Sequence, residues 1–112
     1  MDPLAELAKL RQVYPAAELW DEGGQPLVFI PNLWFRSAGA FIKTDGLLCP
    51  RQHSSGSYPT RLFLRQQVPN KGQNWAHHVI RGMSDWHSPS YDGVAASMPW
   101  IEILATHLRG YL

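Results

Sequence analysis

The sequence predicts one α+β domain, an antiparallel meander with a helix at each end of the chain. Three observations carry this. Apolar residues recur at helical spacing near both ends, at Leu4, Leu7, Ala8 and Leu10 and at Trp100, Ile103, Leu104, His107, Leu108 and Tyr111. Between them lie short β-branched and aromatic runs punctuated by Gly, Pro and Asp. The length of 112 residues suits a single domain, residues 1–112, and is short for two. Sequential strands flanked by helices bury their apolar faces as a sheet against a helical layer.

Asp2-Pro3 opens the first helix, because Asp can cap free N–H groups and Pro is tolerated in the first turn. Pro15 stops it, so the helix is read as residues 3–13. Strands are expected around 16–22, 26–35, 39–49 and 61–67. Gly23-Gly24 reads as a turn, and Asp45-Gly46 between Phe41-Ile42-Lys43 and Leu47-Leu48-Cys49 reads as a two-residue hairpin turn. Pro31 inside the second run points to a sheet edge or a bulge. Residues 50–60 read as a loop, and 69–99 as a long irregular segment punctuated by Trp75 and Trp86. Ser97 is the expected cap of the closing helix, with Pro99 in its first turn.

Composition excludes several classes. Ten Lys+Arg against nine Asp+Glu give a net charge of +1, without the basic footprint that nucleic acid or an anionic membrane requires. Trp75, Trp86 and Trp100 offer rings for base stacking, yet only scattered basic residues surround them. Cys49 is the only cysteine, so no internal disulfide forms, and a zinc site with several Cys ligands is ruled out. A free thiol fits a reducing cytoplasm, and the first residues lack the basic start and apolar run of a secretory signal. The longest apolar run falls far short of the roughly 18 residues of a membrane span. No metal or other cofactor is expected. His77 and His78 are adjacent and cannot both face one ion from a strand, and only Asp85 offers an acid near His87.

The second half of the chain carries a pattern. Tyr58-Pro59 precedes the last expected strand, Val68-Pro69-Asn70 follows it, His78 lies eight residues after Asn70, and Trp86 lies eight after His78 with His87-Ser88-Pro89 behind it. This resembles the ubiquitin-conjugating enzyme superfamily, in its compact bacterial form. That family has a Tyr-Pro turn, a His-Pro-Asn triplet, a catalytic cysteine and then a Trp at these spacings. The resemblance runs without a gap over residues 68–86 and more loosely over 2–112. It departs from the pattern in the His of the triplet, in the shorter stretch between Tyr58-Pro59 and Pro69-Asn70, and in the missing further C-terminal helices. Above all, His78 stands where the family's cysteine belongs.

The resemblance implies a ubiquitin-conjugating-enzyme-like fold: N-terminal helix, four-stranded antiparallel meander, irregular active-site-like segment, C-terminal helix. The family's reaction is transthiolation, which needs a nucleophile that is also a good leaving group; a thiolate meets both demands. An acyl-imidazole hydrolyses readily, so His78 is a poor store for an acyl group. The leading expectation is therefore a non-catalytic relative that binds a ubiquitin-like protein or its activating enzyme through Asn70, His77, His78, Trp86 and His87. The resemblance gives Asn70 a place near the developing oxyanion. One alternative is an active enzyme with a relocated nucleophile, Cys49, whose thiol pKa His53 would lower. The other is a small α+β adaptor unrelated to ubiquitin.

Overall fold

A computed structural model describes residues 2–52, 58–68, 75–80, 82–89 and 93–111. Asp2 caps the first helix, α1 (Pro3–Arg11), by accepting the Leu4 N–H at 3.1 Å. The helix stops short of the expected residue 13. Its last turn tightens at Val13 and Tyr14, both bonded to the Leu10 carbonyl, and Arg11 Nε donates to the Ala17 carbonyl at 2.9 Å. Strands β1 (Glu18–Glu22), β2 (Gln25–Ser37), β3 (Ala40–Cys49) and β4 (Arg61–Leu64) follow, near the expected positions. Two further strands, β5 (Trp75–Ile80) and β6 (Met83–Pro89), precede the closing helix α2 (Trp100–Arg109).

Among the described residues the sheet thus has six strands where four were expected, in the order β1-β2-β3-β4-β6-β5, with every described pairing antiparallel. The correction lies in the segment read as irregular, 69–99. Its His, Ser, Asp and Pro content resembles a loop, but at a sheet edge polar side chains are affordable on the faces that meet water. Ile80 and Met83 pair across the turn at Gly82, and Leu64 pairs with His87, so the hairpin docks through its second strand.

The turn expected at Asp45-Gly46 is also corrected. Those residues lie inside β3, and the chain reverses at Ala38-Gly39, between the paired Ser37 and Ala40. Both turn residues have positive φ, 49° and 84°, as a two-residue turn matched to strand twist requires. Asp45-Gly46 instead faces a bulge. Ile30 pairs with Gly46 and Leu33 with Thr44, leaving Pro31-Asn32 opposite Asp45 alone. The Asp45 carboxylate accepts the Asn32 N–H at 2.9 Å, and Asn32 sits at φ 54°. A Cβ on Gly46 would lie 2.6 Å from Leu33 Cδ2, so the close approach of β2 demands glycine there.

Alternation gives the sheet two apolar faces. Val28, Ile30, Leu33, Phe35, Leu48, Leu62 and Leu64 meet Leu7, Leu10 and Tyr14 at the α1 end and Trp100, Ile103, Leu104 and Tyr111 at the α2 end. Leu27, Leu47, Cys49, Phe63, Ile80 and Trp86 form a second core on the opposite face. There Phe29 on β2 meets Trp86 on β6 edge-on, with ring centroids 6.4 Å apart. On a flat sheet those strands would lie about 14 Å apart, so the sheet curls around this second core.

The closing helix also departs from expectation at its start. Ser97 does not cap it; Pro99 occupies the cap position and gives no side-chain hydrogen bond. Glu6 of α1 takes the role, accepting the Trp100 N–H at 2.9 Å while Lys9 lies 3.4 Å from its other oxygen. A carboxylate at a helix N-terminus also opposes the positive end of the macrodipole. On α2, Trp100, Ile103, Leu104 and His107 are buried, and Leu108 is half-buried.

Candidate functional site

Strand parity divides the residues singled out in the sequence. Cys49 pairs with Arg61, and His78 pairs with Trp86. Cys49, Arg61, Trp86 and His78 share the second-core face, and Ser88, two residues beyond Trp86, joins them. His77 and His87 pair with one another on the opposite face, their ring centroids 5.2 Å apart. His77 is exposed and His87 half-buried. The adjacent histidines therefore serve different surfaces. Asn70 and His53 lie outside the described residues, so neither the expected oxyanion group nor the expected thiol neighbour is placed. Among the described residues, no group of three or more His, Cys, Asp or Glu side chains is arranged to hold a metal ion.

Cys49 ends β3 at 0% exposure, with its Sγ 2.9 Å from the Arg51 carbonyl. Burial pushes the thiol pKa up to about 11, helped by the Glu22 charge and opposed by the Arg51 hydrogen bond and by Arg61. A thiolate forms rarely there, and no substrate reaches the sulfur without opening the core. Trp86, also at 0% exposure, is a core residue with the Arg65 guanidinium 4.5 Å above its ring, so it offers no free face to a partner.

His78 is different. Half-buried on β5, it lies in edge contact with Phe63, centroids 4.9 Å apart. Its Nε2 is 3.2 Å from Arg61 Nη1 and 3.2 Å from Ser88 Oγ, and Arg61 Nη1 donates to Ser88 Oγ at 2.6 Å. A guanidinium only donates, so Nε2 is the acceptor and the imidazole proton sits on Nδ1. Ser88 is buried, Arg61 is half-buried, and the Tyr58 ring lies under the guanidinium at 4.4 Å. Three strands thus contribute one side chain each to a polar triangle at the margin of an apolar core.

Sequence reasoning found His78 but missed Arg61, Ser88 and Tyr58. A signal existed in the fourth strand, where alternation puts Arg61 and Arg65 on the same face as Phe63. An arginine inside such a pattern needs polar company, and the expected four-stranded sheet held no strand to supply it.

Among the described residues, no helix is long and apolar enough to cross a membrane. The chain matches no protein-family model, no curated protein and no solved structure.

Proposed function

We propose that this protein is a ubiquitin-conjugating-enzyme-like binding module that engages a ubiquitin-like protein or its activating enzyme without forming a thioester. The observation that carries the non-catalytic part is the state of the thiol. The chain's one sulfhydryl is sealed in the second core with its pKa near 11, so a nucleophile relocated to Cys49 has neither access nor ionisation in its favour. The family part is supported by element order, a helix, a meander and a closing helix, with both helices on one sheet face. The β5–β6 hairpin occupies the stretch where the resemblance expects irregular chain. His78, at the family's cysteine position, is half-exposed and held by neighbours on two strands, which suits a fixed contact surface.

The test is a charging reaction with ATP and purified pairs of ubiquitin-like protein and activating enzyme, followed by calorimetric titration of each component. The expected result is no adduct that a reductant cleaves, with saturable binding of at least one component. A reducible adduct that disappears in Cys49→Ser would overturn the non-catalytic reading. Failure of every pair to bind would overturn the partner class.

A further inference from the structure

The β2–β3 hairpin outruns its neighbours. Among the described pairings, β1 meets β2 only over 25–29, and β4 meets β3 only over 46–49. Residues 33–43 thus form a two-stranded ribbon. Its Phe35 and Ser37 side chains are buried on the helical face. On the other face the cross-strand pairs are Trp34 with Lys43 and Arg36 with Phe41, and all four side chains are exposed. Trp34 is 47% and Phe41 63% exposed. Two large rings left in water on adjoining rungs mark a contact surface.

Trp34 is also one wall of a groove of about 300 Å³. Val13 and Tyr14 line it from the end of α1, Pro31 and Asn32 from the bulge, and Lys43 from β3. The Tyr14 ring braces Trp34, with centroids 5.5 Å apart, so the wall is set before anything binds. Apolar and aromatic walls with a few polar groups are the make-up of a binding site, and this volume lies at the small end of such sites. Charge selects the occupant. Among the described residues lining the groove, Lys43 is the one charged side chain, and Arg36 follows on the next rung of the same face. Asp45, two residues beyond Lys43, turns its carboxylate into the bulge, where it accepts the Asn32 N–H. Diagonal neighbours on paired strands lie about 7–8 Å apart, close to the roughly 6.6 Å between alternate residues of an extended chain. An extended segment with acids at alternate positions therefore meets both cations. A two-fold pairing of two copies through this face would instead press one cationic patch on another.

We infer that this face docks an acidic, extended segment of a partner protein. An apolar side chain of the segment sits in the groove beside Trp34, and carboxylates at the next two alternate positions meet Lys43 and Arg36. Phe41 covers the segment's far end. The net charge of +1 supplies no long-range field, so recognition is by these local contacts. The surface uses no residue of the polar triangle around His78 and does not depend on the family reading.

Proton–nitrogen NMR of the full chain reads the Trp34 indole N–H, assigned by its loss in Trp34→Phe. The probes are the acetylated and amidated peptide Leu-Ser-Glu-Ser-Glu, the same peptide with Lys for Glu, the same with Ser for Leu, a single-stranded oligonucleotide, and vesicles of anionic phospholipid. The expected result is a saturable shift with the acidic peptide, none with the lysine peptide, and binding about tenfold weaker without the leucine. Lys43→Gln and Arg36→Gln each remove one exposed charge pair and should weaken binding about two- to fivefold. Trp34→Ala removes a wall of the groove and should weaken it about tenfold or more. The two exposed glutamine variants decide the matter if Trp34→Ala disturbs the fold, as judged by the remaining amide spectrum. The inference is overturned if the acidic peptide gives no shift, if the lysine peptide binds as well, if losing the leucine costs nothing, or if both glutamine variants keep full affinity. A shift with the oligonucleotide or the vesicles alone would overturn it in favour of that surface. A mass that doubles with protein concentration in the wild type but not in Lys43→Gln would give the face to a second copy and overturn it too.

Discussion

Acid should loosen this fold through one buried residue, His107. It lies on α2 at 4% exposure, with Nε2 2.9 Å from Thr60 Oγ1. Thr60 directs its single hydroxyl hydrogen to the Val94 carbonyl at 2.8 Å, so Nε2–H donates to Thr60. Burial, aided by the Arg61 charge, lowers the pKa of His107 from 6.5 to about 4. The unfolded chain therefore binds the proton more readily than the folded one. Stability is whole above the unfolded value, falls as pH drops from 6.5 towards 4, and levels off below. A shift of this size is worth about 3 kcal/mol in full, of which about 2 kcal/mol is lost between roughly pH 7 and pH 4.5. The assay is urea denaturation across that range for the wild type and for His107→Gln, whose amide can still donate to Thr60. The wild type should lose about 2 kcal/mol more than the variant over the interval. Coincident slopes, within about 0.5 kcal/mol, would refute the assignment.

Three further outcomes follow from packing. Gly46→Ala puts a Cβ 2.6 Å from Leu33 Cδ2 in a fully buried spot, and should destabilise by about 1–3 kcal/mol in denaturant melts, with Gly24→Ser at the exposed turn as a milder control. Glu6→Ala removes the cap of α2 and should cost about 1–2 kcal/mol, with circular dichroism showing loss of helix beyond α1 itself. Leu104→Ala, at 1% exposure, should cost about 2–5 kcal/mol by the same melts; a loss under about 0.5 kcal/mol would mean the α2 face is not part of the core.

The legible parts of the fold were those that strong local patterns dictate. Asp2-Pro3 and the spacing of Trp100, Ile103 and Leu104 gave both helices, and the runs at 26–35 and 39–49 gave the central strands. Pro31 was read as an edge or a bulge and is a bulge. The errors came where one signal has two structural meanings. Asp45-Gly46 has turn chemistry, but the close approach of Leu33 is another reason for a glycine, and a partner strand 13 residues earlier in the chain is invisible to a local window. The β5–β6 hairpin was missed because its edge strand exposes Ala76, His77 and Val79 together, apolar residues as well as polar, so no polar–apolar alternation marks it. The site suffered from that miss. His78 was noticed by spacing, but its partners Arg61 and Ser88 lie 17 and 10 residues away along the chain, and the unseen hairpin is what unites them.

The cap that Glu6 provides has a consequence for how the chain is made. The acid and the N–H it accepts are 94 residues apart in sequence. The α1 helix is synthesised with Glu6 beside Lys9, long before the Trp100 N–H that its other oxygen caps exists. The turn at Ala38 waits in the same way, since its N–H ends on the Tyr111 carbonyl at 2.8 Å. Ordering the strands before α2 arrives can bring no help from either bond, and contacts between such distant residues are slow to close. The nascent sheet should thus stay open on its helical side until α2 has been synthesised. During that interval the apolar row from Val28 to Leu64 is the part of the molecule most in need of a chaperone.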